Sequence, residues 1–297
     1  MKFTRKIIMY STIVIFILII NVAAATSISS ANIPYDNTKS GSTKTNVKDA
    51  LDDLYSNSPI AFKIGDYVKM TPTKTSFVLP KTLTGYSEDQ TINSGELNLW
   101  RIIKVNDDKT AEAVSEYISS SSIAIGSKNG YLNYVGTLNY IATQYENEKY
   151  TAGSRHMGYD NQTEYITDTS KIICPAWTSS TSSNTNEILG GGDISYTTDT
   201  TLVKNALGTL KAYKVGTTSS YYYWLASRLY TYENSNCYWK ARGINENGEL
   251  TWGYLYYNEN STYLDYINYV NIRPIIILKS GIKATGNGTK NTPYILS

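Results

Sequence analysis

The sequence predicts an α+β protein, and three observations carry that prediction. Apolar residues recur at helical spacing in three places, over residues 46–55, 131–146 and 199–210. Strand-forming runs separated by turn residues dominate the chain after residue 221. The 297 residues are 41% hydrophobic and include 28 Tyr, which is enough to build a core and too aromatic for a wholly disordered chain. Both element types are therefore expected, with the strands concentrated towards the C-terminus.

The N-terminus has the order of a secretory signal. Lys2, Arg5 and Lys6 precede a mostly apolar run, and three alanines at residues 23–25 precede a polar segment. This order predicts a signal peptide over residues 1–25. The 19 residues 7–25 are also long enough for an uncleaved membrane anchor. Both readings place the rest of the chain outside the cytoplasmic membrane, as a secreted or cell-surface protein.

Export also changes the charge balance. The whole chain has 27 basic and 25 acidic residues, and three of the basic residues lie in residues 1–25. Without that segment, 24 basic residues stand against 25 acidic ones, which gives a net charge of −1. No basic stripe remains for a phosphate backbone, so we expect no nucleic-acid partner.

A linker and a short stalk are expected over residues 26–61. The segment begins with a Ser-, Thr-, Asn- and Gly-rich stretch, and residues 46–55 then carry one apolar helical face, with Thr45 or Asn46 as the N-cap. A helix of this length is not stable alone, so it must dock on the domain or pair with copies of itself. The segment resembles the stalks of surface and phage-tail-like proteins of Gram-positive bacteria, which implies a spacer or a homo-oligomerising stalk.

The remaining domain is expected over residues 62–297. Its N-terminal half is predicted to contain both strands and helices. Residues 62–70 alternate in part and predict an edge strand. Residues 97–105 and 110–117 predict a β-hairpin around an Asn-Asp-Asp-Lys turn, whose acids are favoured as turn formers over calcium ligands. The helix over residues 199–210 is expected to begin at Asp199 as its N-cap.

Five strands are predicted in the C-terminal part, with an Asn-Gly hairpin turn at residues 245–248. Their ranges are residues 221–225, 236–244, 249–257, 271–278 and 294–296.

Three motifs together resemble a bacterial domain of unknown function. Residues 99–105 read LWRIIKV, residues 223–228 read YWLASR and residues 271–278 read NIRPIIIL. The resemblance implies a C-type-lectin-like fold over residues 62–297, related in fold to the formylglycine-generating (sulfatase-modifying) enzymes. The motif residues are expected to be framework residues on core strands. They are Trp100, Trp224, Arg228, Arg273 and Pro274.

The enzyme activity of that fold relative is not expected here. The generating enzymes hold copper with a closely spaced cysteine pair near the C-terminus, whereas Cys174 and Cys237 are 63 positions apart. In an oxidising compartment these two residues form either one disulfide or two buried free thiols, and the sequence leaves the choice open.

No catalytic, cofactor or metal-ligand motif emerges from the sequence. His156 is the single histidine, and the chain lacks the Gly-x-Ser-x-Gly elbow of serine hydrolases. Glu233, Glu246 and Glu249 are predicted in loops or turns, where the simplest role is that of solvated turn residues. A cell-wall or glycan hydrolase with paired carboxylates stays an alternative, because the separation of two carboxylates is three-dimensional.

The strongest functional signal is the aromatic stretch over residues 230–269. Tyr, Trp, Asn and Ser are the residue types of antibody paratopes, and aromatic faces beside amides suit a sugar ring or a protein epitope. Period-two alternation is expected to place Trp252, Tyr254 and Tyr256 on one face of a strand. Loops over residues 229–236 and 258–268 are expected to supply part of the recognition surface. The residues expected to bind ligand are Tyr230, Tyr232, Trp239, Trp252, Tyr254, Tyr256, Tyr263 and Tyr266.

The sequence therefore predicts a surface-displayed binding protein that recognises a glycan or a protein outside the cell. A structural stalked surface protein without a soluble ligand is one alternative. The Asn-, Tyr- and Ser-rich stretch also resembles the variable segment that diversity-generating retroelements mutate, although an AT-rich genome gives the same composition.

Overall fold

The computed structural model describes residues 33–34, 36, 43–155, 165–168, 184–186, 197–233, 236–257 and 268–297. Contacts divide the chain into two compact units with the boundary between Ser58 and Pro59. The predicted signal segment lies outside the described residues, so the choice between cleavage and an anchor stays a prediction.

Helices and strands alternate irregularly along the described chain. The helices are α1 (Val47–Asn57), α2 (Lys81–Thr84), α3 (Ser127–Leu132), α4 (Tyr134–Thr143) and α5 (Thr197–Leu207). The strands are β1 (Tyr67–Lys69), β2 (Ser76–Leu79), β3 (Gln90–Asn93), β4 (Leu99–Val105), β5 (Ala111–Ser115), β6 (Ile123–Ile125), β7 (Thr151–Ser154), β8 (Asn184–Asn186), β9 (Tyr223–Glu233), β10 (Asn236–Ile244), β11 (Leu250–Tyr257), β12 (Asn268–Val270), β13 (Ile275–Leu278), β14 (Ala284–Thr285) and β15 (Tyr294–Leu296). Strand residues outnumber helical ones, so the α+β class is confirmed in a β-rich form.

The first unit contains the predicted stalk helix, α1. The Asp49 backbone N–H donates to Asn46 Oδ1 at 2.8 Å, which confirms Asn46 as the N-cap. Leu51 and Leu54 on its apolar face are 43% and 61% exposed. Self-association through this helix stays a prediction.

The largest sheet has seven strands in the order β14-β15-β1-β4-β5-β13-β7. The β1–β15 pair is parallel, and every other neighbouring pair in this sheet is antiparallel. The prediction that residues 62–70 form an edge strand is therefore wrong. The partner strand β15 comes from the far end of the chain, which local alternation does not reveal.

The predicted hairpin of β4 and β5 is confirmed, with its turn at Asn106 to Lys109. The turn closes through Asn106 N–H to the Thr110 carbonyl at 2.9 Å. Asp108 Oδ1 accepts bonds from the Thr110 backbone N–H at 3.0 Å and from the Thr110 hydroxyl at 2.6 Å. The acids therefore act as turn formers, as expected for Asn- and Asp-rich turns.

Helix α5 covers one face of the seven-stranded sheet. Val203 packs with Ile103, Val114 and Ile275, which confirms the predicted apolar face of this helix. The helix begins at Thr197, so Asp199 is inside the helix and the N-cap prediction is wrong. The opposite face of the sheet packs into the main core.

The helix predicted over residues 131–146 is two helices, α3 and α4, which break at Asn133. Asn133 is buried, and its side chain donates to the Ile166 carbonyl at 2.8 Å and accepts from the Ile166 N–H at 2.7 Å. The periodic apolar residues continue across the break, which explains why the sequence pattern predicts a single helix.

The second sheet has four antiparallel strands in the order β11-β10-β9-β8. The predicted turn between β10 and β11 is confirmed by the bond from Gly248 N–H to the Asn245 carbonyl at 2.9 Å, with Gly248 at φ 80°. Strands β2–β3 and β6–β12 form two smaller sheets.

Candidate functional site

The predicted recognition residues lie on the four-stranded sheet or beyond the described residues. The pairing places Tyr230 of β9 opposite Trp239 of β10, and Trp239 opposite Tyr256 of β11. Tyr232 is paired with Cys237 and Trp252 with Arg242 in the same sheet. Several of the predicted positions therefore come together on adjacent strands.

The prediction that residues 229–236 form a loop is wrong. Residues 229–233 are the end of β9, which pairs with β10 on one side and with β8 on the other. Tyr and Thr are strand-forming residues, and pairing on both sides extends the strand through this polar stretch. Tyr263 and Tyr266 of the second predicted loop lie outside the described residues.

Trp239 belongs to the core and not to an exposed recognition surface. It is 3% exposed, and its ring centroid lies 4.8 Å from that of Tyr131 on α3. The inward face of β10 also carries Ala241, which is fully buried. A long aromatic stretch on a two-faced sheet thus divides between core and surface, and residue type alone does not assign the face.

A β-bulge interrupts the period-two alternation of β11. Trp239 is opposite Tyr256 and the next residue, Lys240, is opposite Tyr254, so Leu255 has no cross-strand partner of its own. The alternation that predicts one shared face for Trp252, Tyr254 and Tyr256 does not continue across this bulge.

Tyr238 and Tyr254 are half-buried, and their rings are in contact; we call them the tyrosine pair. Their centroids lie 5.7 Å apart at an interplanar angle of 54°. The two residues lie on adjacent strands, β10 and β11, so the rings are held by the backbone of a paired hairpin. Tyr238 lies in the predicted aromatic stretch, although it was not among the expected ligand-binding residues.

The ammonium group of Lys240 lies beneath the tyrosine pair. Lys240 is 1% exposed, and its Nζ is 4.8 Å from the centroid of Tyr254 and 5.6 Å from that of Tyr238. A desolvated cation near ring faces is attracted by the ring quadrupole. This contact restrains the orientation of both rings.

Arg228 anchors the adjacent strand β9 to helix α3. The side chain is fully buried, and its Nη1 donates to the carbonyl oxygens of Tyr131, at 2.9 Å, and Leu132. Its guanidinium carbon also lies 5.4 Å from the Tyr131 ring centroid. These carbonyls belong to the last turn of α3, where a cation is favourable.

The other motif residues lie in or beside the core. Trp100 is fully buried and donates from Nε1 to the Met70 carbonyl at 2.9 Å, and Trp224 packs edge-on against Tyr134 with centroids 5.6 Å apart. Arg273 donates from Nε to the Ser115 carbonyl at 3.0 Å, and Pro274 follows it as a buried residue.

Asn271 opens the NIRPIIIL motif, but it was not among the expected framework residues. Its Nδ2 donates to the Ser119 carbonyl at 2.7 Å, and the neighbouring Ile272 N–H donates to the Ser119 hydroxyl at 3.0 Å. Such a role has no local sequence signal, because the partner lies about 150 positions away.

Of the carboxylates in the alternative hydrolase hypothesis, Glu246 and Glu249 lie in the β10–β11 turn, and Glu233, predicted in a loop or turn, is the last residue of β9. Glu249 Oε2 accepts a bond from Asn245 Nδ2 at 3.0 Å, and both Glu246 and Glu249 are exposed. Hydrogen bonding to Glu246 raises the pKa of the Tyr222 hydroxyl. These contacts match turn residues more closely than a buried acid–base pair.

Other predicted chemistry falls outside the described residues. His156 and Cys174 are not described, so neither catalysis by this histidine nor the Cys174–Cys237 disulfide is tested. Within the described ranges, no group of three or more His, Cys, Asp or Glu side chains is arranged to hold a metal ion.

The chain was compared with protein-family models, curated proteins and solved structures, and it matches none of them. In the part of the chain that the structure describes, no helix has the length and apolar character needed to cross a bilayer.

Proposed function

We propose that this chain is an exported, surface-displayed binding protein with a C-type-lectin-like fold in residues 62–297. It recognises a glycan or a protein outside the cell through the Tyr-rich hairpin of β10 and β11. The observation that carries the proposal is the tyrosine pair, two half-buried rings of neighbouring strands placed over a buried ammonium group.

The chemistry of the pair suits recognition. An aromatic ring offers an apolar face to a sugar ring or an epitope side chain, and its hydroxyl supplies a polar contact. Tyr side chains also lose little conformational entropy on binding, since two torsions define them. Lys240 lowers that cost further by holding the rings before the ligand arrives.

The test is a double substitution on the full chain. We expect Tyr238→Ala with Tyr254→Ala to reduce binding about a hundredfold on an array that carries both glycans and host proteins, because central aromatic residues dominate interface energies. The control is Tyr140→Ala, which removes a 37% exposed ring from helix α4. Circular dichroism establishes that each variant is folded.

The array also separates the two ligand classes. If a free monosaccharide competes with binding to an array position, the ligand is a glycan. If binding to an immobilised protein persists in the presence of free sugar, the ligand is a protein epitope. Binding that survives the double substitution with the wild-type affinity overturns the placement of the site on this hairpin.

A further inference from the structure

We infer that Asn287 is a site of spontaneous covalent modification, at which the Gly288 backbone nitrogen closes a succinimide ring on the Asn287 side chain. The two residues lie in the loop between β14 and β15, and Asn287 is exposed. The chain contains three Asn-Gly dipeptides, and the other two begin at Asn129 and Asn247. The surroundings of the three differ in the features that ring closure needs.

The nucleophile of this reaction is the backbone nitrogen of the glycine, which must give up its proton. Gly248 N–H donates to the Asn245 carbonyl at 2.9 Å, and Gly130 N–H donates to the Gly126 carbonyl at 3.0 Å. A hydrogen bond of this kind is lost when the nitrogen attacks, which raises the cost of the step. Gly288 N–H donates to none of the described residues, so its attack carries no such cost.

Thr289 prepares the Asn287 amide for the attack. Asn287 Oδ1 accepts two hydrogen bonds, from the Thr289 backbone N–H at 3.2 Å and from the Thr289 hydroxyl at 2.8 Å. Negative charge develops on this oxygen as the ring closes, and donors already aimed at it stabilise that charge. The first of these bonds closes a loop of atoms that includes the Gly288 nitrogen, so the side chain is folded back towards its nucleophile.

Asp66 is placed to accept the proton of the nitrogen. A Cβ at Gly288 would lie 3.1 Å from Asp66 Oδ1, so this carboxylate packs directly against the glycine. Lys63 N–H donates to the other carboxylate oxygen, Oδ2, at 2.8 Å. Burial raises the pKa of the Asp66 carboxyl, which makes it a stronger proton acceptor. Because Gly288 is buried, this carboxylate takes the part that solvent plays in an exposed loop.

The reaction needs no reagent other than water. The Gly288 nitrogen gives its proton to Asp66 and forms a bond to Cγ of Asn287. The bond from Cγ to Nδ2 then breaks, and Nδ2 takes up the proton and leaves as ammonia. Water opens the succinimide at either of its carbonyl carbons, which yields Asp or iso-Asp at residue 287.

Both products alter the loop that connects β14 to β15. Each adds a negative charge close to Asp66, and iso-Asp also inserts a methylene group into the backbone. The insertion lies between two bonds that hold the loop, from Asn287 N–H to the Thr292 carbonyl at 3.1 Å and from Tyr67 N–H to the Gly288 carbonyl at 2.7 Å. The modification therefore acts on the attachment of this loop to β1 and not on the tyrosine pair.

The test stores the native full chain at neutral pH and follows each Asn-Gly peptide by mass spectrometry, with iso-Asp identified by an isoaspartyl methyltransferase. We expect Asn287 to lose its amide about tenfold faster than Asn129 and about threefold faster than Asn247, because its nucleophile is unbonded and its amide is activated. In urea the three rates should converge, since the fold no longer distinguishes the dipeptides.

Two substitutions separate the contributions. Thr289→Val removes the hydroxyl and should slow the loss at Asn287 about three- to tenfold, whereas Thr289→Ser keeps the hydroxyl and should preserve the rate. Asp66→Asn should slow the loss about tenfold or more, because the proton acceptor is removed. The rate at Asn247 should stay the same in every variant and serves as the internal control.

Loss at Asn287 that is no faster than at Asn129 overturns the inference, and so does a product that contains Asp without iso-Asp. A ranking that persists unchanged in urea also overturns it, because the fold then contributes nothing. If circular dichroism shows that Asp66→Asn does not fold, Thr289→Val and Thr289→Ser decide, and equal rates in those two variants count against the inference.

Discussion

The seven-stranded and four-stranded sheets bury charge in different ways. In the seven-stranded sheet, the buried Glu112 of β5 pairs with Lys104 and Arg155, so opposite charges meet. In the four-stranded sheet, the contacts of Arg228 include helix-end carbonyls and a tyrosine ring, and Lys240 lies against two rings. The described contacts of these charges therefore include ring faces in the four-stranded sheet and one shared carboxylate in the seven-stranded sheet, where the Arg101 guanidinium also lies 4.7 Å from the Tyr67 ring centroid.

Contacts between buried cations and rings give some of the 28 tyrosines a second role besides packing. A ring face stabilises a desolvated cation while the rest of the residue fills apolar space, which an aliphatic side chain does not do. The tyrosines near Arg228 and Lys240 are therefore electrostatic partners as well as packing residues. The following substitutions test how far the two sheets differ, starting from the largest expected effect.

Arg228→Met is expected to lower the free energy of unfolding by about 3 kcal/mol or more. The substitution leaves the carbonyls of Tyr131 and Leu132 buried without this donor, and each unsatisfied group costs about 1–3 kcal/mol. Urea denaturation followed by tryptophan fluorescence measures the loss.

The matched control for that prediction is Arg101→Met in the seven-stranded sheet. Arg101 is half-buried and donates to the Tyr67 hydroxyl at 2.9 Å, so we expect a loss of only about 1 kcal/mol. Equal losses in the two variants would show that the helix-end carbonyls are not what makes Arg228 important.

Trp100→Phe should cost more than Trp224→Phe, although both remove the same atoms from the core. Trp100 Nε1 donates to the Met70 carbonyl, whereas Trp224 Nε1 has no partner among the described residues. We expect losses of about 2–3 kcal/mol and about 1–2 kcal/mol respectively. Thermal and urea unfolding of the two variants measure the gap, and a larger loss for Trp224→Phe would contradict this account.

Tyr145→Phe is expected to have the smallest effect at neutral pH, a gain of about 1 kcal/mol or less. Tyr145 packs edge-on against Phe77, and its buried hydroxyl has no hydrogen-bond partner in the described structure. Removal of an unsatisfied buried hydroxyl relieves its desolvation penalty. A clear loss of stability at pH 7 would mean that the hydroxyl has a role.

The same substitution has a larger effect in alkali. Burial raises the pKa of Tyr145 in the folded chain, with a smaller contribution from Glu96. The unfolded chain ionises near the ordinary pKa of about 10, so the folded form is destabilised as pH rises above that value. Wild type should lose up to about 1.4 kcal/mol more per pH unit than Tyr145→Phe between pH 10 and 12, measured by urea denaturation.

Local patterns in the sequence carried much of the fold. The α5 face, the β4–β5 hairpin, the β10 strand and the N-cap at Asn46 all follow from short-range periodicity, turn chemistry or capping. The predictions are wrong where residues far apart in the chain determine the local structure. The break at Asn133 depends on Ile166, and the interior position of β1 depends on β15.

The candidate site was predictable as a region and not as a set of side chains. Composition identified the aromatic stretch, and alternation with turn residues predicted strands β10 and β11. Trp239 nevertheless lies in the core, because the pairing with β9 and the contact with Tyr131 fix the face of β10. The bulge at Leu255 likewise changes which residues of β11 share a side.

The sequence by itself determined the α+β class and the positions of the long strands β4, β10 and β11, because these depend on spacing and residue type within a few positions. Tertiary structure alone decided which tyrosines are buried and which groups contact Arg228, Lys240 and Glu112. The physical reason is that burial and pairing are properties of residues far apart in the chain, and no local pattern records them.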